Sequence, residues 1–419
     1  MNKPFPLTEQ TVDPYAIPLE DIDVAQDELF QNRQHWGFFE RLRNEDPVHL
    51  TTGSEIFGDY WSVTRYEDIF YVDTHNEIFS SEPTIALFDA DEEEEFRVEM
   101  FIAMDQPKHD DQRKVVSPAV SPVNLKDMES LIRERVCNVL DSLPVGETFN
   151  WVELVSIEIT TQMLATLFDF PFEDRRKLTW WSDVTTSPPD GGETGLSEDD
   201  RRAELIDCLN TFSVLLEERK QKAPAQDFIS LMAHDPKMAQ QHPLELLGNL
   251  MLLIVGGNDT TRNSMSGGVL ALNQFPQEYD KLRAKPELIP NMVAEIIRWQ
   301  TPLAYMRRTA LEDTELGGKQ IKKGDKLAMW YVSGNRDERA IDKPNEFIID
   351  RPNARKHLSF GFGIHRCMGN RMAEMQIRVL WEEILKRFEM VEVVGEPKYS
   401  KSSFVHGITE LPVRLHPKG

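Results

Sequence analysis

The chain has 419 residues, 40% hydrophobic and 28% charged, with 71 acidic against 47 basic side chains and a formal net charge of −24. This is the composition of a globular enzyme with a large core, not of a disordered or fibrous chain. Most of the surface would repel phosphates, so no nucleic-acid or anionic-membrane partner is expected.

At the N-terminus, MNKPFPLTEQ lacks the layout of a signal peptide, and the longest apolar run, near LMLLIVGG, is too short for a membrane span. The expectation is a cytoplasmic protein. No linker, low-complexity tract or repeat divides the chain, so a single domain over residues 1–419 is expected, with residues 1–30 as an N-terminal arm. VHLTT (48–52) and YWSVTRY (60–66) predict a small antiparallel sheet, and DADEEEEF (89–96) reads as a solvated loop. From residue 124 the apolar spacing turns helical through 124–143, 151–168, 199–221 and 227–234.

Residues 243–275 predict one long helix, apolar on nearly every side in its first half and stopped by Pro276, which should run through the core as a spine. A helix around NMVAEIIRW, strands around MRRTA and KLAMWYVS, and an irregular stretch over 334–357 follow. A last helix (368–388) and two strands, around FEMVEVV and LPVRLH, finish the chain. The fold class is mainly α with small β-sheets.

Three cysteines, Cys137, Cys208 and Cys367, lack C-x-x-C spacing and cannot make a disulfide framework, so any cysteine chemistry rests on one thiol. Cys367 lies in FGFGIHRCMGN (360–370). A buried structural cysteine is the bland account of a lone thiol. Here, however, Gly361 and Gly363 allow a sharp turn and close approach to a flat ligand, and Phe360 can pack on the same face. A following helix start, with His365 and Arg366 nearby, would stabilise a thiolate. Such a thiolate suits the proximal side of a haem iron. A Cys/His hydrolase fits less well, because His365 sits two residues away on a tight loop.

FGFGIHRCMG resembles the haem-binding loop of the cytochrome P-450 superfamily. The resemblance implies that haem b lies between the long central helix and the cysteine loop, with Cys367 as axial thiolate. GGNDTT (256–261) interrupts the apolar spine and is similar to the family's distal motif at Gly256, Gly257, Asp259, Thr260 and Thr261. Glycine pairs also serve helix packing, but an oxygen-activating haem needs a groove for O2 and a proton relay, roles that fall to Thr260 and Asp259. Glu295 and Arg298 occupy the place of the family's structural Glu-x-x-Arg, with Arg351 a third partner. The same spacing at 40/43, 94/97, 173/176 and 198/201 reads as surface pairs. His109 and Arg113 match the family's His-x-x-x-Arg for haem propionates, joined by Arg308 (or Arg307) and His365.

The likeness runs from about residue 30 to the C-terminus. It is greatest to soluble bacterial members that oxidise alkanes and medium-chain fatty acids at the terminal carbon, carried by GNDTTRNSM and RWQTPLAYMRR. It implies insertion of one oxygen atom of O2 into a terminal C–H bond. No fused redox module is present in the sequence, so electrons are expected from a 2Fe–2S ferredoxin and an NAD(P)H-dependent ferredoxin reductase. The ferredoxin would meet a basic patch of Lys114, Arg355, Lys356, Arg366 and Arg371. Candidate substrate-pocket walls are Leu253, Ile254, Leu303, Ala304, Phe404 and Val405, beneath a lid at 185–200. Rival readings are a terpene or other small apolar hydroxylase and a haem-thiolate gas sensor, the latter disfavoured by the relay residues.

Overall fold

Proline at its first turn and a His242 side chain accepting from the Leu244 N–H start the spine helix, Pro243–Gln274, of 32 residues. The computed structural model describes residues 12–89, 98–187 and 194–418. Residues 1–11 of the arm, 90–96 of the acidic run and 188–193 of the lid lie outside the described residues. Pro276 ends the spine, as expected, but also opens a further helix, Pro276–Ala284, at a position that needs no N–H donor.

Glycines let other elements reach the spine's backbone. A Cβ on Gly267 would lie 2.3 Å from Oε1 of Gln300, and one on Gly268 would lie 2.7 Å from Cδ1 of Ile296. Both contacts belong to the helix Ile289–Gln300, which crosses the spine at close range. Glu158–Phe168 packs on another side of the spine, preceded by a π-helical stretch at Val152–Ile157. A helix that the apolar pattern does not announce, Arg176–Thr186, is tied to it by an Arg262–Asp183 ion pair at 2.8 Å.

The main sheet orders its strands Val48–Ser54, Gly58–Val63, Lys326–Met329, Met306–Ala310 and Phe79–Ser80, with the second and third parallel and the other neighbours antiparallel. The strand expected over KLAMWYVS stops at Met329. Trp330 N still bonds the Val63 carbonyl, after which Tyr331–Gly334 closes into a short helix and Val332 N bonds Ala304 O instead. A second sheet sets Pro412–Pro417 between Thr148–Asn150 and Phe388–Val393. Among the described residues no helix is long and apolar enough to cross a membrane.

Glu295 and Arg298 are fully buried, with Glu295 Oε1 accepting from Arg298 Nη2 at 2.7 Å and Oε2 from Arg298 Nε at 2.8 Å. Arg351 Nε donates to Glu295 at 2.9 Å, and Ile348 N also bonds this carboxylate. The two guanidinium groups then donate to the carbonyls of Asn335, Pro344, Lys343 and Glu346. An irregular stretch without ladder or helix bonds thus has its backbone acceptors satisfied by two buried cations. The 40/43 spacing forms no such pair: Arg43 is buried and donates to Ser333 Oγ at 3.0 Å. Replacing one member of the buried cluster strands the others, so Glu295→Gln should cost about 3–5 kcal/mol in denaturant unfolding. A cost below about 1 kcal/mol, the range of an exposed pair, would remove the cluster from its structural role.

Candidate active site

Between the spine and the cysteine loop lies a cavity of about 740 Å³. Leu253, Gly256, Gly257 and Thr260 face it from the spine, and Phe360, Gly361, His365 and Cys367 from the loop. The loop is fixed by its own backbone, Cys367 N bonding Phe360 O at 2.8 Å. Gly361 and Gly363 take φ of +62° and +63°. A Cβ on Gly363 would lie 2.4 Å from the Asp73 carbonyl oxygen, and one on Gly361 would lie 3.1 Å from Asp73 Oδ2. The glycines therefore also serve approach to the chain's own helix Tyr66–Thr74, and Gly361 lines the cavity as well.

The helix Asn370–Arg387 begins directly after the cysteine. Burial pushes the Cys367 thiol up, while the backbone N–H groups of Gly369 and Asn370 and the charges of Arg113 and Arg366 pull it down. At the cavity edge the rings of His109 and His365 stand 4.3 Å apart. Arg308 lines the same edge and donates from Nη2 to Asp73 Oδ1 at 2.9 Å. Arg307 turns away to Phe88 O and Asp89, so Arg308, not Arg307, reaches the cavity.

A cytochrome P450 family profile matches residues 199–415. Linalool 8-monooxygenase of Pseudomonas putida is 36% identical over 413 residues, 96% of this chain and 100% of that protein. A methyl-branched lipid omega-hydroxylase of Mycobacterium tuberculosis is 31% identical, covering 96% of each chain. The chain belongs to the cytochrome P450 family. Among solved structures, CYP153D17 from Sphingomonas superposes with a TM-score of 0.88 at 49% identity, over 94% of this chain and 98% of that one. Cytochrome P450-153 from Novosphingobium aromaticivorans gives 0.88 at 45%, over 94% and 99%. The protein is a P450 monooxygenase whose cofactor is haem b with a cysteine thiolate ligand.

The residues present fit that cofactor. His109 Nε2 and His365 Nε2 are buried and have no hydrogen-bond partner among the described residues. Burial, with Arg308, His109 and Arg113 alongside, pushes His365 down to about 2. This edge gathers two guanidinium groups and two unsatisfied imidazole nitrogens, the donor set a pair of carboxylates would complete. Arg113 also donates to the Arg366 carbonyl, which ties this P450's helix Lys108–Val116 to the cysteine loop.

On the spine, Thr260 Oγ1 donates to Gly256 O at 3.0 Å and lines the cavity. A Cβ on Gly256 would meet nothing within 4 Å, whereas one on Gly257 would lie 2.7 Å from Leu164 Cδ2. The packing account thus holds for Gly257, and Gly256 alone leaves open space. Asp259 does not line the P450's cavity. It is buried behind the wall, with Oδ1 paired to Arg262 at 2.7 Å and Oδ2 accepting from Ser182 at 3.1 Å; burial raises its pKa despite Arg262.

Leu253, Leu303 and Phe404 line the cavity, but Ile254, Ala304 and Val405 do not. Ile254 is one helical step round from Leu253 and enters the core. Ala304 donates its N–H to Phe404 O and packs with the N-terminal cluster, and Val405 is buried and pairs with Leu303 through an isolated antiparallel bridge. Thr185, Thr186 and Ser187, from the expected lid, also face the cavity. The sequence reading passed over Met100, Phe101 and Ile102, which line it from a segment too short to carry a period, Met306 at the start of the expected MRRTA strand, and Asp73, one of three acids on a nine-residue helix.

Asp73 joins two parts of the site, since its Oδ2 also accepts from the Phe362 N–H at 2.7 Å while Oδ1 holds Arg308. Asp73→Asn should leave Arg308 buried without its carboxylate and loosen the loop, lowering the haem-to-protein ratio of purified protein severalfold. Full haem occupancy with an unaltered Soret band would count against this role.

Proposed function

We propose that this P450 oxidises linear alkanes or medium-chain fatty acids at the terminal carbon, giving primary alcohols or omega-hydroxy acids. The observation that carries the reading is the cavity, with Cys367 and Thr260 on facing walls and a predominantly apolar lining from Leu253, Leu303, Phe404, Met100 and Phe101. The sequence resemblance to terminal hydroxylases and the relative named a methyl-branched lipid omega-hydroxylase support it.

Haem b, held by the Cys367 thiolate, supplies oxygen activation when bound. The chain's own contribution is position: a terminal methyl has a stronger C–H bond than its neighbours, so the apolar walls must present the chain end alone to the reacting centre. His109, Arg113, Arg308 and His365 hold the cofactor's carboxylates, and Phe360 packs beside it. Thr260 Oγ1 is the hydroxyl placed to hold a proton on the cavity wall. Asp259 stands behind the wall as the relay's acid, burial raising its pKa against the pull of the Arg262 ion pair.

Electrons come in this reading from a 2Fe–2S ferredoxin and its NAD(P)H-dependent reductase. Lys114, Arg355, Lys356, Arg366 and Arg371 are exposed, and the three arginines all act on Glu374, so they share one face near the cysteine loop. An acidic ferredoxin complements that face on an otherwise acidic protein. Reversing Arg366 and Arg371 to Glu should slow reduction by ferredoxin at least tenfold at low salt, and an unchanged rate would move the docking face elsewhere.

The decisive test incubates the holoenzyme with octane, octanoate or linalool and a surrogate ferredoxin system. Primary alcohol from octane or omega-hydroxy acid from octanoate is expected, and Cys367→Ser should abolish both product and the thiolate-type Soret shift of the reduced CO complex. Mainly internal alcohols, or turnover confined to linalool, would replace this reading with the terpene one that the Pseudomonas relative favours. Thr260→Ala should lower alcohol formed per electron consumed by at least half; unchanged coupling would take Thr260 out of the relay.

A further inference from the structure

Leu-Gly-Asn-Leu at 247–250 is a second interruption of the apolar spine, a full two turns before the Gly256 site, and no cofactor or relay role reaches it. Gly costs about 1 kcal/mol against Ala inside a helix, and a buried amide is unfavourable unless hydrogen-bonded. Asn249 is completely buried. Two unfavourable residues in tandem call for something seated on them.

That something is the segment 98–103. A Cβ on Gly248 would lie 1.9 Å from the Glu99 carbonyl oxygen and 2.6 Å from its carbon, so this backbone rests directly on the helix where the side chain is missing. Asn249 Oδ1 accepts from the Phe101 N–H at 2.9 Å, and its amide donates to Gln112 Oε1 at 2.8 Å. Gln112 and Gln241 both donate to Glu245, and Lys108 bridges Glu245 and Glu99 at the rim. The opposite side of the same segment carries Met100, Phe101, Ile102 and Ala103 into the cavity.

We propose that Gly248 and Asn249 clamp segment 98–103 over the cavity, making Asn249 a positioning residue for substrate selectivity. It touches neither substrate nor cofactor; it acts through the apolar wall whose backbone it holds. A wall fixed to the spine confines a flexible chain to one orientation, and a wall free to lift lets internal carbons reach the reacting centre. The inference rests on the reading that the cavity takes an extended apolar chain.

The test compares holoenzyme with Asn249→Leu, of similar size but without the acceptor, and with Asn249→Asp, which keeps the acceptor for Phe101. In Asn249→Leu, hydrogen exchange of the peptide containing Phe101 should quicken at least tenfold, the octane-induced spin shift should need severalfold more octane, and the primary-alcohol fraction should fall. The thiolate-type spectrum of the reduced CO complex should stay unchanged. Asn249→Asp should keep both the protection and the product ratio nearer those of the parent. If Asn249→Leu does not fold, Gly248→Ala lifts the same segment by sterics alone and should give the same pattern. Parental exchange and product ratio in a folded variant would overturn the clamp. Failure of the parent protein itself to make primary alcohol would instead overturn the terminal-oxidation reading, while the exchange measurement still decides the clamp.

Discussion

A helix of 32 residues buried through a domain core must present chemistry without leaving its own polar groups stranded. The rest of this structure depends on how the spine meets that constraint. It is apolar over most of its length, and at three places a glycine withdraws the side chain so that something else can approach. At Gly248 the visitor is the backbone of Glu99, at Gly267 and Gly268 it is the helix Ile289–Gln300, and at Gly256 it is open space facing the cysteine loop. Each opening is accompanied by a buried polar residue with a defined partner: Asn249 to Phe101, Asn263 to Ile408, Asp259 to Ser182 and Arg262.

The facing wall is built differently, from a loop closed by its own backbone bonds and held in place from outside. Its anchor begins at Glu295, passes through Arg298 to the Asn335 carbonyl, and continues in the Asn335 side chain, which accepts from Leu358 N at 2.7 Å and donates to Ser359 Oγ at 2.9 Å. Ser359 Oγ in turn donates to Ile297 O, returning to the helix where the path started. Asp73 fastens the next residues from the other side. The cysteine is thus placed by two buried carboxylates, neither of which lies in the loop's own sequence.

Much of this was legible in the sequence where a period or a fixed spacing exists. The spine, its crossing helix, the last helix and the small sheet followed from spacing of apolar residues, and the cysteine loop from a pattern of residue types. The unread parts have physical reasons. Tyr66–Thr74 carries the aromatic and β-branched run IFYV, which favours a strand, Phe101–Ala103 is too short to show a period, and Tyr331–Gly334 carries β-branched and aromatic residues that favour a strand until a tertiary bond from Val332 N to Ala304 O overrides them. The pocket walls failed in one way: Ile254, Ala304 and Val405 each neighbour a residue that does line the cavity. Which one faces inward depends on rotation of the element, which only packing fixes.

The electrostatics of the cavity edge bind these pieces together. An acidic chain has gathered Arg113, Arg308, His109 and His365 at one rim, where Asp73 is the one carboxylate that pairs with Arg308 among the described residues. Two imidazole nitrogens there are buried without a hydrogen-bond partner among the described residues, and burial, with the neighbouring Arg308 and Arg113 charges, pushes His365 down to about 2. Such an edge is incomplete by itself, because unsatisfied buried donors and unneutralised cations cost free energy. A group that brings carboxylates to it repays those costs only in the folded state, and so stabilises the fold in proportion to how tightly it binds. In this P450 the Glu295 cluster and Asp73 hold the loop in shape, and in the proposed reading the cofactor's carboxylates would complete the charge balance that the chain alone leaves open.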